Sequence, residues 1–557
     1  MFKTISTTLA NSLWYLSSLP EWYAFHRANL NVAQTQREVL RQLLDHNAET
    51  EIGRHYNFAS INSVTQYQKQ VPLSTYDDYR IAIANISAGQ PGVLTNDSLL
   101  MLELTNGITA PTRYIPYTAK LKLEFQQALA TWIVDLFTYH PYLITGCAYW
   151  SITSVAHRQP FTIGGIPIGF EEDSEYLSDW QRYLLHTVMA VPPVVRLIED
   201  IESFRYVTLL FLLRSRHLTM MSVWHPTFLT LLMERLYLWW PRLVTDLRQG
   251  TVTPTHPLPP NLYPPLMALN PPNYQRAAEI HKIFTTQQPP GIIHHLLWPK
   301  LRLISCWADT QTKSVFDHLK LLFPKTQIQG KGLIATEGFI SFPLFRKTGA
   351  ALAIRSHFFE FLPIAEGPLR LAHQLDLNAC YEVVITTGGG LYRYQLHDIV
   401  QVVGKVKECP LLHFLGKTAH ISDWFGEKLT EQSVREIVNK RLAHYALNPT
   451  FVMVACDEWA SEYAYTLFIE IEEMLSGILK LLAKDLELAL QENFHYRYCR
   501  ELKQLDHLRI FRIEKGGLET YLKVGVARGQ RAGNIKLSTL HQAGGWSQVF
   551  RGKHISW

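Results

Sequence analysis

The chain has 557 residues, 47% of them hydrophobic, 12% aromatic and 18% charged, with a formal net charge of +5. That length permits a large buried core and more than one domain, and the composition excludes a disordered chain. The basic residues are dispersed without a Lys/Arg block, which argues against a nucleic-acid partner.

The N-terminal "MFKTISTTLANSLWYLSSLPEW" has an apolar stretch broken by Ser, Thr and Asn and no small-residue cleavage site, so it does not read as a secretion signal. In "VAQTQREVLRQLLDHN" apolar residues recur at helical spacing and predict a helix ending near Asn47. Next, "SLLMLEL" predicts a strand and "YTAKLKLEFQQALATWIVDLF" a long helix, with "LTNGITAPTRYIP" (Leu104 to Pro116) between them. The longest apolar runs, "YVTLLFLL" and "FLTLLMERLYLWW", are too short or too charged to span a membrane, so no membrane partner is expected. Proline-rich "TPTHPLPPNLYPP", followed by "NPPNYQRAAEIHK", predicts a surface connection.

Further on, "LRLISCWA", "QIQGKGLIAT", "ALAIRSHFFEFLPI" and "CYEVVITT" predict short strands among helices, which is an α/β or mixed α+β body with a central sheet. The character changes after "LLHFLGKTAHISDWFGEKLTE". There "EQSVREIVNKRLAHY" predicts a helix, "TFVMVACD" and "YAYTLFIEIE" paired strands, "EMLSGILKLLAKDLELALQENF" an amphipathic helix and "HLRIFRIE" another strand. A boundary near Ala419 follows, dividing an N-terminal domain (1–418) from a small α+β C-terminal domain (419–557). The six cysteines, Cys147, Cys306, Cys380, Cys409, Cys456 and Cys499, form no CxxC pair, zinc set or disulfide framework, so a reducing, cytoplasmic setting is expected.

Three stretches carry chemistry. In "LTNGITAPTRYIP", Gly107 permits close backbone approach, Thr105, Asn106 and Thr109 offer donors, and Arg113 offers positive charge, as a phosphate-cradling turn at a helix start would require. Taken alone, an ordinary capped strand-to-helix turn is the simpler reading. In "QGKGLIATEGFISFPL", Thr336 and Glu337 place a hydroxyl beside a carboxylate that suits Mg²⁺ held against phosphate, or else a solvated loop. In "TTGGGLYRYQLHDIVQVVG", Gly388 to Gly390 lead to Tyr392, Arg393, Tyr394 and Asp398; the carboxylate could take ribose hydroxyls, or the glycines could simply turn a hairpin.

Together with "VPLSTYDDYR", "FTIGGIPIGFEEDSEYL", "LISCWADTQ", "IQGKGLIATEG", "HFFEFLPI" and "FLGKTAHISDWFGEKLTEQSV", these stretches resemble the auxin-responsive acyl acid–amido synthetases, the Gretchen Hagen family, in its bacterial branch. The likeness runs from about residue 35 to "RGQRAGNIK" near the C-terminus. It implies an adenylate-forming ligase using ATP and Mg²⁺: a small carboxylic acid is adenylated with release of pyrophosphate, and an amine, typically of an amino acid, then displaces AMP to form an amide. By position, Thr105, Asn106, Gly107, Thr109 and Arg113 would form the phosphate loop, and Thr336 and Glu337 would meet the α-phosphate and Mg²⁺. Tyr392 would lie near the nucleotide and Asp398 on the ribose, while Lys417 would mark the hinge. Lys428 and Lys536 would belong to a mobile C-terminal lid, Lys536 being the one expected to act beside Glu337 and Arg113 in catalysis.

The chain departs from the family pattern on the nucleotide side. Ile108 replaces a threonine, Ala110 and His397 replace glycines, and Ala419 replaces an acidic hinge residue. Loss of a hydroxyl contact to a charged phosphate is worth on the order of 1–3 kcal/mol, about ten- to a hundredfold in rate. Two other readings follow: a non-catalytic relative that binds a small acid or nucleotide, and an adenylating enzyme with a thiol acceptor. The acid pocket is expected to draw on Ser151 to Val155, Trp224 to Phe228 and Ser356 to Phe361, whose aromatics suit an apolar or aryl acid.

Overall fold

In the computed structural model the described residues are all but 1, 106–112, 152–160, 170–178, 225, 308–312, 365–366, 418–420, 423, 426, 428, 460–461, 473–475, 502–503, 528–534, 536 and 556–557. The chain divides into two compact units, and both mix helices with sheet. The larger extends to Phe414; the smaller comprises Leu415–Trp557 and includes the short segment His397–Ile399.

In the larger unit, four strands (Cys147–Trp150, Leu218–Ser222, Leu303–Cys306 and Gln327–Gly330) form a parallel sheet in sequence order. Parallel neighbours need long crossovers, and helices Ile201–Arg214, Pro226–Gln249 and Lys313–Leu322 lie in those connections. "YVTLLFLL" forms most of the first of these helices, apolar nearly all round because it is buried nearly all round. Among the described residues no helix is long and apolar enough to cross a membrane. Of the proline-rich segment, residues 253–259 form an irregular connection as expected, but the remainder folds into helices Tyr263–Leu269 and Tyr274–Thr285, burying Leu266, Ala277 and Ile280. Pro264 sits in a first helical turn, where its missing N–H has no helical partner to lose.

A second sheet has seven strands in the order Arg370–Leu371, Phe358–Pro363, Cys380–Thr386, Tyr394–Val406, Cys409–Lys417, Ala350–Leu352 and Ser341–Pro343. The stretch after "SLLMLEL" departs from expectation. Residues Arg113–Thr118 continue as a strand antiparallel to Leu99–Thr105, with Thr105 paired to Arg113, and the helix begins only at Ala119. Its N-cap is Thr118, whose Oγ1 accepts from Leu121 N–H at 3.1 Å. Residues 106–112 therefore connect two antiparallel strands, and no helix terminus follows them directly to add its dipole to an anion.

The smaller unit has its own five-stranded sheet, in the order Leu540–His541, Phe451–Trp459, Glu462–Glu470, Asp506–Ile513 and Gly552–Ile555. Helices Glu431–His444 and Ser476–Leu490 cover it, packing Val434, Val438, Leu482 and Leu486 into one core with Val454, Leu467 and Ile469. The two helices and the strands Phe451–Trp459, Glu462–Glu470 and Asp506–Ile513 are those the C-terminal sequence predicts; the edge strands Leu540–His541 and Gly552–Ile555 are additional.

Candidate active site

Glu337 stands at the tip of a small hairpin. Strands Ile334–Ala335 and Gly338–Phe339 are antiparallel with Ala335 opposite Gly338, so Thr336 and Glu337 form a two-residue turn. The hairpin is fixed from behind: Phe339 N–H donates to His357 Nε2 at 2.9 Å. His357 Nδ1 lies 2.9 Å from Glu124 Oε2, and both oxygens of that carboxylate accept from Gly388 N–H at 3.0 Å. Because Nε2 accepts, the ring proton belongs on Nδ1, toward the carboxylate. His357 and Glu124 are buried, and they tie the Thr336–Glu337 turn to the glycine turn through one polar chain. Gly388 is required there, since a Cβ would come within 2.3 Å of Lys120 Cγ.

Around Glu337, two further groups converge. The Tyr394 hydroxyl donates toward Glu337 Oε1 at 3.5 Å, the outer limit of a hydrogen bond. Burial holds the Tyr394 phenol well above its ordinary pKa; the Glu337 charge reinforces this and the Arg113 guanidinium opposes it. Arg113 packs its guanidinium 5.0 Å from the centre of the Tyr76 ring, and Tyr76 in turn accepts from Tyr114 N–H at 2.9 Å. The Tyr394 phenol thus faces the Glu337 carboxylate and feels the charge of Arg113, three residues from remote stretches of sequence.

Tyr392, the aromatic first expected at the nucleotide, is instead a core residue. It is 1% exposed, donates its hydroxyl to Leu94 O at 3.0 Å and packs on Phe58. Arg393 also turns inward, forking onto Glu360 at 2.9 and 3.1 Å and donating to the carbonyls of Gln68 and Val71. Its φ is +49°, in the bend that precedes the strand beginning at Tyr394. Asp398 is buried on the strand Tyr394–Val406 within the segment that belongs to the smaller unit, and His397 before it has φ +59°. Asn106, Gly107, Thr109, Lys428 and Lys536, with the departures Ile108, Ala110 and Ala419, lie outside the described residues, as do the side chains of Thr105 and Lys417.

At the carboxyl ends of the parallel strands lies an aromatic cavity of about 70 Å³, counted as space open to the centres of water-sized molecules. Phe125, Trp132, Trp150, Trp224 and Phe339 supply rings, and Lys331 and Ser222 supply polar atoms. Ser151 and Trp224 come from two of the stretches expected to wall the acid pocket; Ser356–Phe361 instead contributes to the buried support of the hairpin. A single water needs roughly 10–15 Å³ by the same measure, so the cavity has room for a small organic group. The carboxyl ends of a parallel sheet are where open α/β folds bind ligands.

Models of the GH3 family N-terminal, central and C-terminal domains match residues 23–328, 350–417 and 431–544. The chain belongs to the GH3 family. It is 22% identical to indole-3-acetic acid-amido synthetase GH3.17 of Arabidopsis thaliana, covering 94% of this chain and 93% of that one. It is 23% identical to indole-3-acetic acid-amido synthetase GH3.3 of the same plant, with coverages of 91% and 89%. The solved GH3.15 acyl acid amido synthetase superposes with a TM-score of 0.79 at 20% identity, covering 94% of this chain and 93% of that structure. Another structure of that protein is a complex with 2,4-DB.

Within this GH3 chain, the carboxylate of Glu337 suits Mg²⁺ as a companion of nucleotide. Among the described residues no three His, Cys, Asp or Glu side chains gather as a resident metal centre would need. A single carboxylate at a hairpin tip suits an ion that keeps its waters and arrives on phosphate oxygens. Tyr394, His357, Glu124 and Lys331 were not singled out by sequence reasoning. All four lie in or beside quoted motifs, and only packing distinguishes them.

Proposed function

We propose that this GH3 chain is an ATP-dependent acid–amido ligase. A carboxylate oxygen of a small acid attacks the α-phosphorus of ATP, the bond to the β-phosphate breaks, and pyrophosphate leaves an acyl adenylate. The amine of an amino acid then attacks the acyl carbon, the bond to AMP breaks, and an amide forms with loss of the amine proton. The observation that carries this reading is the Tyr394 hydroxyl facing Glu337, with the charge of Arg113 felt at the same phenol, in a chain whose named relatives are amido synthetases.

Each residue has a physical task. Arg113 lowers the repulsion between the incoming carboxylate and the phosphates. Glu337 would hold Mg²⁺, which when bound neutralises phosphate charge. Tyr394 orients the Glu337 carboxylate, while Glu124 and His357 fix the hairpin that presents it. The aromatic cavity takes the acid's apolar body and excludes water from a hydrolysable mixed anhydride. Thr336, Asp398, the loop from Thr105 to Thr109, and Lys417, Lys428 and Lys536 enter the proposal on their positions in the sequence. So does the role of the smaller unit as a mobile lid. A cytoplasmic setting is supported by six free cysteines.

The test is product analysis. Protein, ATP and Mg²⁺ are incubated with a panel of aryl and aliphatic acids and the twenty amino acids, and products are read by mass spectrometry. Amide and AMP in equal amounts support the proposal. A thioester formed only with an added thiol points to a different acceptor, and acid binding without AMP points to a carrier.

A further inference from the structure

Lys331 brings a charge to the wall of the aromatic cavity. Its ammonium lies 2.6 Å from Ser222 Oγ, 5.4 Å from the centre of the Trp224 ring and 5.8 Å from that of Trp132. The residue follows the strand Gln327–Gly330, and Ser222 ends the strand Leu218–Ser222, so both stand at the carboxyl edge of the parallel sheet. Ring faces tolerate the cation, and they also accept the flat face of an aryl ligand.

The hairpin sets a direction along the cavity. Ile334 and Phe339 are paired across it, and both line the cavity wall. Glu337 lies at the tip beyond them, and Lys331 lies three residues before Ile334 on the other side. Gly332, with φ +79°, turns the chain between Lys331 and Ile334; for an acid with its reacting carboxylate near the tip and its ring along Ile334 and Phe339, Lys331 beside Ser222 is the polar part of the wall that remains. A plain ring there adds no acceptor to the Ser222 oxygen that the ammonium already meets, whereas a ligand oxygen adds a charge-assisted hydrogen bond.

From this geometry we infer that Lys331 is a specificity residue: the cavity takes aryl carboxylic acids bearing a second oxygen acceptor, a carboxylate or hydroxyl, away from the carboxylate that is activated. The inference rests on the proposed ligase reading for which carboxylate reacts, but it is tested by binding alone. A site that donates to a buried acceptor rejects analogues lacking it much more strongly than a site that merely fills space.

The experiment titrates benzoate, its 3- and 4-hydroxy derivatives and its 3- and 4-carboxy derivatives into nucleotide-free protein, reading quenching of tryptophan fluorescence. Wild type, Lys331→Met and Lys331→Arg are compared, with circular dichroism as the control for folding. Expected is a preference of about tenfold or more for at least one acceptor-bearing probe over benzoate in wild type. That ratio falls toward one in Lys331→Met and is partly kept in Lys331→Arg. Equal loss for all five acids in Lys331→Met would mean that the ammonium meets the reacting carboxylate, and it overturns the inference; so does an unchanged ratio. If the ratio behaves as expected but no acid yields AMP with ATP, the ligase reading fails while the specificity role stands.

Discussion

His357 Nδ1 lies 2.9 Å from Glu124 Oε2 while its Nε2 accepts from Phe339 N–H, so one imidazole joins a buried carboxylate to the hairpin that carries Glu337. Removing one member of such a buried pair leaves the other without its partner, which typically costs about 1–3 kcal/mol. His357→Leu and Glu124→Leu are each expected to destabilise by about that much. The double variant loses at least ~1 kcal/mol less than the sum of the two. Urea denaturation of the four proteins measures the coupling; strict additivity would show that the two side chains act separately.

The two tyrosines of "YRY" should separate by readout. Tyr392→Phe strips the hydroxyl that donates to Leu94 O, so it lowers stability by about 1–2 kcal/mol and leaves adenylation kinetics unchanged. Tyr394→Phe removes the hydroxyl facing Glu337 and lowers kcat/KM by about tenfold with the smaller effect on stability. Denaturation midpoints and steady-state kinetics on the same preparations decide it, and a reversed pattern would restore Tyr392 to the nucleotide.

His397 has φ +59°, a conformation that a side chain makes costly and glycine adopts freely. His397→Gly is therefore expected to stabilise the protein by about 1 kcal/mol, and His397→Ala to gain nothing comparable. A fall in the urea midpoint of the glycine variant would show that imidazole contacts outweigh the backbone term.

His294 predicts how stability responds to acid. Burial pushes its pKa down to about 4 from 6.5, while Nδ1 donates to Leu322 O at 2.8 Å and Nε2 faces the Tyr237 hydroxyl at 3.1 Å. Between those values the unfolded chain binds the proton that the folded one refuses, so stability present above pH 6.5 is lost as pH falls toward 4. The loss approaches about 3 kcal/mol for this group at roughly 1.4 kcal/mol per unit. Asp135 has the opposite sign: its pKa is raised to about 6 from 3.8, so its contribution is full below 3.8 and is lost as pH rises through 6. Between pH 6 and 4 the two contributions oppose each other, so His294→Gln should gain stability relative to wild type on acidification in thermal melts; the same pH dependence in both proteins would leave His294 no part in it.

What the sequence makes legible depends on whether local pattern decides the outcome. The helix around Leu40 to Leu44 and the strand "CYEVVITT" follow from spacing alone, because each buries one consistent set of apolar positions. The strand Arg113–Thr118 is hidden because its short alternation runs directly into a helix, and only pairing with Leu99–Thr105 holds it extended. "YRY" offers two tyrosines alike in sequence, and only their packing separates them: Tyr392 precedes the strand and donates to Leu94 O, whereas Tyr394 begins it and faces Glu337. The proline-rich segment misleads because prolines in a first helical turn resemble those of a loop. Glu337 and Arg113 are legible as chemistry, since a carboxylate beside glycine and a cation beside a turn are distinctive in sequence. Their support by His357 and Glu124 is not, because it spans more than two hundred residues of chain.

Acid-dependent exchange of labelled pyrophosphate into ATP, in wild type and Glu337→Gln, tests the central claim most directly. The substitution keeps size and hydrogen bonding but removes the charge proposed to hold Mg²⁺. The account predicts exchange with at least one aryl acid in wild type, a loss of about a hundredfold or more in the variant, and cavity binding of that acid within about twofold of wild type. Exchange in Glu337→Gln at the wild-type rate would contradict it.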